Sequence, residues 1–433
     1  MANIKLRERE VEIKYSVDVC VVGAGPAGLG AALSAARMGA KVALVERNSY
    51  MGGNFTAASV GTICGLYYKP GSDWEYVTRG VVEEVVTALK SQAKAMGPLP
   101  FQESAILLYV PWAAKRLFDE MISSNDNITS LLHSLVSEAV VDNGRLEAVI
   151  VASKQGPVAI SATSFVDCTG DGDLVFFAGG SWEMGDEQHR QHASMQFFLQ
   201  NADQSLALGK GIPSLAELIS TYGQDLTRDG GALIPTLRPG EFIGAMTRIT
   251  NPDGSPIDIT DLEQATWAEI EGRRVAEQAA QFVIDRVPGF ANAFLSDTAG
   301  NIGIRESRRV LGEYVLTGKD VLGCARFDDP VACGAWPQEY HSEGKSTKYV
   351  HLSPGEFYQV PLRSLKPLGF DNLFVAGRCI SADFDALASI RVMAPSMALG
   401  EAAGIAAAHL ALEGDLKYQN IRESLVANGA FLG

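Results

Sequence analysis

The chain has 433 residues, of which 47% are hydrophobic and 20% charged, and its formal charge at pH 7 is −15. This length allows two or three domains, while the acidic balance argues against a nucleic-acid-binding protein and disfavours docking to anionic lipid. No apolar run reaches the roughly 20 residues that a membrane-spanning helix needs, and residues 1–15 lack the apolar core of a secretion signal. We therefore predict a cytoplasmic protein that binds neither nucleic acid nor membrane.

The six cysteines form no CxxC pair and no cluster with histidine. This spacing predicts reduced thiols, no disulfide framework and no metal site.

Residues 17–46 predict a strand, a glycine-rich turn, a helix and a second strand. The first strand, Val17–Val22, is short and mostly β-branched, and the turn that follows it reads Gly23-Ala24-Gly25-Pro26-Ala27-Gly28. In such a turn Gly23 permits the tight bend, Gly25 keeps side chains off a pyrophosphate, and Gly28 allows close packing of helix on strand. The N–H groups and the dipole at the start of the helix then favour phosphate groups.

The second strand, Lys41–Val45, ends on Glu46, eighteen residues after Gly28. An acid at this distance accepts hydrogen bonds from a ribose. The strand, turn, helix, second strand and acid together predict a dinucleotide-binding unit.

The following segments favour FAD over NAD. An NAD enzyme normally continues with alternating strands and helices, whereas this chain leaves the unit through Met51-Gly52-Gly53-Asn54-Phe55-Thr56. A glycine pair there lets the backbone run close to a cofactor. Helices near Val81–Ala95 and Pro111–Ile122 then precede a β-meander, predicted as Leu131–Asp142, a turn at Asn143-Gly144, Arg145–Ser153 and Pro157–Val166.

The meander returns the chain to the nucleotide unit at Thr169-Gly170, and a late buried strand ends at Gly377. A strand lining the site is expected at Ser194–Leu199, and a loop facing the site at Gly334–Gln359. Asp261–Asp285 is expected to form a packing helix with apolar positions Leu262, Ile270, Val275 and Phe282. A final helix rich in small residues is expected to run to about Leu412.

With these motifs in place, the chain resembles the FAD-dependent oxidoreductases of the glutathione-reductase-like superfamily. The resemblance rests on the glycine turn, a REsRR segment (Arg305–Arg309) and an AGRciS…RvM…GxAAG ending (residues 376–404). It implies an α/β fold: an FAD-binding Rossmann domain built from discontinuous segments, 1–180 and 356–433, with an α+β substrate or cap domain over 181–355.

In such proteins the first motif holds the ADP half of FAD, and the last helix points its N-terminus at the flavin. Many relatives carry Gly-Asp at the late strand, whereas this chain has Gly377-Arg378. The residues expected to contact FAD are Gly23, Gly25, Pro26, Ala27, Gly28, Glu46, Arg47, Gly52, Gly53, Asn54, Thr56, Val136, Thr169, Gly170, Asp173, Gly377, Arg378, Met393, Ala398 and Gly400.

Three arginines are candidates for the chemistry. Arg305 and Arg308 lie on opposite faces of an extended segment, and their two open roles are an internal ion-pair network and contact with an anion or the flavin. The resemblance favours the second role. Arg391, just before the last helix, is expected beside the flavin, the alternative being that it neutralises Asp383 or Asp385.

His341 is the preferred proton carrier, because the chain has six histidines and this one lies in the loop facing the site. Cys64 follows the glycine pair and is a weak candidate for a covalent flavin link, since a buried free thiol is usually unreactive.

The expected function is oxidation of a small organic substrate by hydride transfer to FAD, with electrons passing to O2 or a separate carrier because a second GxGxxG is not evident. The alternatives are a flavin-dependent isomerase or hydratase without net redox and a non-catalytic FAD-binding assembly protein. The sequence leaves the substrate and the oligomeric state open, including a homo-oligomer.

Overall fold

The computed structural model of the protein describes residues 9–185, 190–209, 213–342 and 344–433, so most of the polar segment Asp186–His192, expected as a surface helix, lies outside the described residues. The helices of the first range are α1 (Pro26–Arg37), α2 (Val81–Ser91), α3 (Pro111–Ser123) and α4 (Asp173–Phe177). Its strands are β1 (Ile13–Val22), β2 (Val42–Val45), β3 (Thr62–Ile63), β4 (Tyr67–Tyr68), β5 (Glu75–Tyr76), β6 (Ala95–Phe101), β7 (Ser104–Tyr109), β8 (Ile128–Leu131), β9 (Leu135–Asp142), β10 (Arg145–Ser153), β11 (Gly156–Asp167) and β12 (Trp182–Glu183).

The remaining helices are α5 (Gln204–Ala207), α6 (Leu215–Tyr222), α7 (Leu262–Arg286), α8 (Gly318–Leu322), α9 (Phe384–Ile390), α10 (Met393–Glu413) and α11 (Tyr418–Ala427), with 3₁₀ turns at Gly53–Phe55 and Leu362–Leu365. The remaining strands are β13 (Phe197–Gln200), β14 (Ala232–Pro235), β15 (Phe242–Ala245), β16 (Phe294–Thr298), β17 (Arg309–Val310), β18 (Pro330–Gly334), β19 (Gln338–Tyr340), β20 (Lys348–Val350), β21 (Tyr358–Pro361) and β22 (Leu373–Val375).

A parallel sheet organises the molecule. Its strand order is β8-β2-β1-β11, and β22 pairs in parallel with the end of β11. The register aligns Val45, Val22, Asp167 and Val375, so four neighbouring strands finish side by side. The loops that follow them therefore meet at one carboxyl edge, where open α/β sheets bind ligands.

The predicted β-meander is confirmed. Strand β10 pairs antiparallel with β9 on one side and with the first half of β11 on the other. Asn143 and Gly144 have φ values of 46° and 79°, as a two-residue hairpin turn requires.

Helices α1 and α10 pack unusually closely because glycines face the opposing backbone. A Cβ atom on Gly400 would lie 1.9 Å from the Ala27 carbonyl oxygen, and one on Gly404 would lie 2.2 Å from that of Ala31. This contact fixes the late helix against the first glycine motif.

A second, antiparallel sheet of order β14-β15-β13-β16 forms another hydrophobic core with α7. The expected packing helix is present, and two of its four predicted apolar positions are confirmed, since Val275 is buried and Phe282 packs against this core. The other two are wrong, because Leu262 and Ile270 are 82% and 58% exposed. The buried positions are instead mostly small, including Ala268, Gly272 and Ala276, because this helix approaches its neighbours closely.

Two further expectations are corrected by the structure. The helix that begins at Val81 ends at Ser91, and β6 starts at Ala95. The expected loop Gly334–Gln359 contains the antiparallel hairpin β19–β20, whose strands are only three residues long. No helix in the described parts of the chain is long and apolar enough to cross a membrane.

Candidate active site

A groove runs along the carboxyl edge of the parallel sheet. It consists of two adjoining cavities of about 50 and 130 Å³, which share Gly23, Glu46, Arg47 and Thr169. We call their combined lining the nucleotide groove.

Glu46 fastens the loops at one end of this groove. One carboxylate oxygen accepts a hydrogen bond from the Ala24 N–H at 2.9 Å, and the other accepts from the backbone and side chain of Asn48 at 2.8 and 2.9 Å. The side chain thereby joins the glycine turn to the loop after β2, at the position expected for ribose recognition.

The groove fits a pyrophosphate at Gly25. A Cβ atom on Gly25 would point into open space, with the nearest atom, Gly53 Cα, 4.0 Å away. Helix α1 starts at Pro26, and no side-chain hydrogen bond caps its N-terminus. The space and the helix end therefore suit a phosphate group.

Most of the residues expected to contact FAD lie in the nucleotide groove. They are Gly23, Gly25, Pro26, Ala27, Glu46, Arg47, Gly53, Asn54, Val136, Thr169, Gly170, Asp173, Gly377, Arg378 and Met393.

Five expected contacts are not part of the groove lining. Gly28 packs against the Gly23 carbonyl, the Gly52 N–H bonds the Ala24 carbonyl, and the Thr56 hydroxyl bonds the Met51 carbonyl, so all three support the turns. Ala398 and Gly400 lie further along α10, and Gly400 packs on α1.

Arg378 stands where the resemblance leads us to expect an aspartate, and it pairs with Asp171 on the loop after β11. Its guanidinium lies 2.8 Å from Asp171 Oδ1 and donates to the Ser307 hydroxyl at 2.6 Å. Arg378 and its neighbouring carboxylate thus form a buried pair beside the groove.

A larger cavity of about 560 Å³ opens from the groove. The two share Asn54, Ile304, Arg378, Arg391 and Met393. Its walls come from β14 and β15, the extended segment 303–305, the β19–β20 hairpin and the start of α10. The N-terminus of α10 therefore borders both spaces, as the resemblance implies.

Glu339 lies at the centre of a hydrogen-bond network in the large cavity. Its carboxylate accepts from the Tyr349 hydroxyl at 3.0 Å and from the Trp336 indole N–H at 3.2 Å. His341 Nε2 lies 3.0 Å from the oxygen that Tyr349 contacts.

The donor directions in this network follow from its ends. Arg228 can only donate, and its Nη2 donates to the Thr347 hydroxyl at 2.7 Å. At the other end, the ionised Glu339 carboxylate can only accept, so His341 Nε2 carries a proton and donates it to Glu339. In the neutral imidazole Nδ1 is then the acceptor, and the Thr347 hydroxyl, 3.2 Å away, donates to it.

Electrostatics keep the two ends of this pair in different states. Burial opposes ionisation of Glu339, but the hydrogen bond from His341 and the charges of Arg391 and Arg305 outweigh it and lower the pKa of this carboxyl well below its usual range. Burial, reinforced by Arg305, holds the pKa of His341 well below its usual value despite the contact with Glu339. At neutral pH an anionic carboxylate therefore faces a neutral imidazole.

Two of the three arginines predicted to take part in the chemistry lie in the large cavity, and the third does not. Arg305 and Arg391 line the large cavity, and Arg391 donates to the Glu339 carbonyl at 3.1 Å rather than to Asp383 or Asp385. Burial lowers the pKa of Arg305 to about 9, with Arg391 and Arg228 adding to the effect, so its guanidinium stays charged at neutral pH.

The role favoured for Arg308, contact with an anion or the flavin, is corrected by its position. Arg308 pairs with Asp173 at 2.8 Å, and its guanidinium carbon lies 4.2 Å from the centre of the Phe176 ring. It faces α4 rather than the large cavity, so its position supports the internal ion-pair role.

Cys64 lines the large cavity, but burial raises the pKa of its thiol to about 12. The group is therefore a thiol at neutral pH, without the nucleophilic thiolate that a covalent link requires.

Sequence reasoning missed Glu339, Thr347, Tyr349 and Arg228. The first three share a signal, because Glu339 and His341 are two residues apart, as are Thr347 and Tyr349, and Glu339 pairs with Tyr349 across the hairpin. Recognising two strands instead of a loop would have placed them together. Arg228 carries no comparable signal.

A parallel sheet with a glycine turn, an acid after its second strand and a groove at its carboxyl edge defines a dinucleotide-binding protein of mixed α/β fold. The family model described as FAD dependent oxidoreductase matches residues 18–428. The chain belongs to the FAD dependent oxidoreductase family.

Alignments with individual curated proteins cover a smaller part of the chain than the family model does. The chain is 31% identical over 169 residues to thiamine thiazole synthase of Aeropyrum pernix, covering 36% of this chain and 56% of that protein. It is 54% identical over 50 residues to soluble pyridine nucleotide transhydrogenase of Hahella chejuensis, covering 12% and 10%. The chain thus spans little more than half of the first relative and a tenth of the second.

Among solved structures, BexE, studied for oxidation during BE-7585A biosynthesis, aligns with a TM-score of 0.50 at 12% identity, covering 95% of this chain and 67% of BexE. This likeness shows a shared fold.

Proposed function

We propose that the protein oxidises a small organic substrate in the large cavity, at a C–H bond next to oxygen, nitrogen or an activating carbonyl. The observation that carries the proposal is the meeting of this cavity with the nucleotide groove at Arg378, Arg391 and Met393. A substrate in the cavity is thereby adjacent to the site that fits FAD. Residues 181–355 supply much of the cavity wall, which supports their role as a substrate domain.

FAD, when bound, supplies the two-electron acceptor for the substrate hydride. The residues that would hold it are those of the nucleotide groove, with Gly25 and the start of α1 at the pyrophosphate and Glu46 at the ribose.

The chain's own contribution is to orient the substrate and to take its proton. We infer that His341 accepts the proton at Nδ1, the ring nitrogen that now accepts from Thr347. Glu339, in contact with Nε2, stabilises the imidazolium that results. The substrate thus loses one hydride and one proton, and its two electrons leave the protein to O2 or a separate carrier.

Anaerobic photometry of the FAD-loaded protein tests this function. Candidate alcohols, amines and carbonyl compounds are added singly, and a true substrate bleaches the oxidised flavin while one equivalent of oxidised product forms. Conversion of a compound with no flavin reduction would instead support an isomerase or hydratase. If no compound is bound or converted, the non-catalytic assembly role replaces the proposal.

A further inference from the structure

We propose that the large cavity binds its substrate through a carboxylate group received by Arg228, Arg305 and Arg391. This inference rests on the proposed function in one respect: the bound anion is the compound to be oxidised.

The three guanidinium groups hydrogen-bond to neutral oxygens. Arg305 donates to the His192 carbonyl at 2.7 Å. Arg228 donates to the Ala245 carbonyl at 3.2 Å and to the Thr347 hydroxyl. Arg391 donates to the Glu339 carbonyl, and its distance to the carboxylate is 4.0 Å. Within the described residues, none of the three has a carboxylate within hydrogen-bond distance.

Two of these side chains also have buried donors left over. The Nε atoms of Arg228 and Arg391 have no hydrogen-bond partner among the described residues. Arg228 is 9% exposed and the Arg391 side chain 8%. Buried, unpartnered arginine donors are costly, so a ligand that accepts from these two atoms would relieve that cost.

The charges around the cavity do not balance. Three arginines face one buried carboxylate, Glu339, while the other acid of the lining, Asp229, is exposed. Arg378 is already paired with Asp171. The interior therefore carries an excess of positive charge, which an anionic substrate would offset.

The remaining wall suits an organic body attached to the anion. Phe101 and Trp336 are stacked with ring centres 6.0 Å apart, and Tyr349 meets Phe101 edge to face. Because a guanidinium fork matches a planar carboxylate in two parallel hydrogen bonds, the geometry points to a compact, partly apolar carboxylic acid.

The test is equilibrium binding to the oxidised, FAD-loaded protein, which needs no turnover. Benzoate, phenylacetate and succinate are titrated at neutral pH, with flavin absorbance and melting temperature as readouts. Benzamide is the neutral match for benzoate, and phenyl phosphate tests another anion. We expect at least one carboxylate to bind, and benzamide to bind at least roughly tenfold more weakly than benzoate.

Variants test whether carboxylate binding depends on the cavity arginines or on a general effect of removing a positive charge. Arg228→Met and Arg305→Met should each weaken carboxylate binding roughly tenfold or more, while Arg305→Lys, which keeps the charge without the fork, should fall between. Arg116→Met, on the exposed face of α3, is the matched control. FAD content and melting temperature report whether each variant is folded.

The outcomes also separate this inference from the proposed function. Equal binding of benzoate and benzamide, tighter binding of phenyl phosphate, unchanged affinity in folded variants, or no binding of any carboxylate would each overturn the inference. If neutral compounds reduce the flavin and carboxylates do not bind, the oxidation stands and the carboxylate site falls. If carboxylates bind as expected but nothing reduces the flavin, the site stands and the oxidation falls.

Discussion

His341 Nε2 lies 3.0 Å from Glu339 Oε1 at the end of β19, inside the large cavity. Their surroundings push the pKa of both groups downwards, so the carboxylate is charged and the imidazole neutral. A neutral imidazole backed by an anion has the form of a general base.

Glu339→Gln should slow flavin reduction without removing FAD. The amide keeps one acceptor oxygen, for either Trp336 or Tyr349, but loses the charge that stabilises protonated His341. We expect the rate constant of anaerobic reduction to fall by about 10²–10⁴, measured by stopped-flow absorbance with any substrate that bleaches the wild-type flavin. Glu356→Gln, an exposed change, serves as the control. An unaltered rate constant would remove Glu339 from the proton path.

Gly25→Val should abolish copurification of FAD while leaving the fold intact. The Gly25 backbone, with φ of −71°, tolerates a side chain, and its Cβ would enter only the open groove. The measurement is the ratio of flavin to protein absorbance, alongside the circular dichroism spectrum. Gly71→Val, at an exposed glycine with open space around it, is the matched control. A yellow Gly25→Val protein would refute the pyrophosphate assignment.

Arg391→Met should lower the rate of substrate-driven flavin reduction more than it lowers FAD content. Arg391 borders both cavities, and removing a buried cation there withdraws charge from reacting groups. We expect a decrease of roughly tenfold or more in the rate constant, with Arg116→Met behaving as wild type. Equal losses of flavin and of rate would indicate a purely structural role for Arg391.

Glu401→Gln should change how stability depends on pH. Glu401 is 1% exposed, accepts from the Val81 N–H at the start of α2, and burial raises its pKa to about 7. Because the folded protein holds this proton more tightly than the unfolded chain, wild-type stability falls as pH rises from about 4.5 towards 7.

The proton on Glu401 contributes at most about 3 kcal/mol to the free energy of unfolding. The free energy of unfolding, measured by urea titration across this pH window, should decline less steeply in Glu401→Gln than in wild type. Glu423→Gln on α11 controls for loss of one carboxyl. Parallel pH profiles in wild type and Glu401→Gln would contradict the raised pKa.

The flavin should be bound without a covalent link. Burial keeps Cys64 as a thiol, with a pKa of about 12, so it lacks the thiolate needed to attack the cofactor. Acid precipitation should leave the yellow colour in the supernatant, and Cys64→Ala should retain the wild-type FAD content. Colour in the washed pellet that is lost in Cys64→Ala would show the opposite.

The nucleotide groove was the most predictable part of the molecule. Gly23, Gly25 and Glu46 act within one local strand–turn–helix–strand unit, so their spacing along the chain determines their geometry. The meander was equally readable, because its strands have 8, 9 and 12 residues and the turn carries Asn143-Gly144.

The large cavity was much less predictable. Strands β19 and β20 have three residues each, too few for alternation to distinguish a hairpin from a loop. Alternation did place Arg305 and Arg308 on opposite faces, but which face meets the cavity depends on long-range contacts such as Arg308 with Asp173. For the same reason the partner of Arg391 proved to be Glu339 rather than a nearby aspartate.

The tight packing of α1 on α10 has a consequence for how the protein is made. Gly30 and Gly400 belong to segments 370 residues apart, and each approaches the opposing backbone within a distance that only glycine allows. During synthesis the first glycine motif emerges long before α10, whose first turn completes the groove and the cavity. The nascent chain therefore remains without a finished cofactor site, and with the apolar face of α1 uncovered, until α10 has left the ribosome.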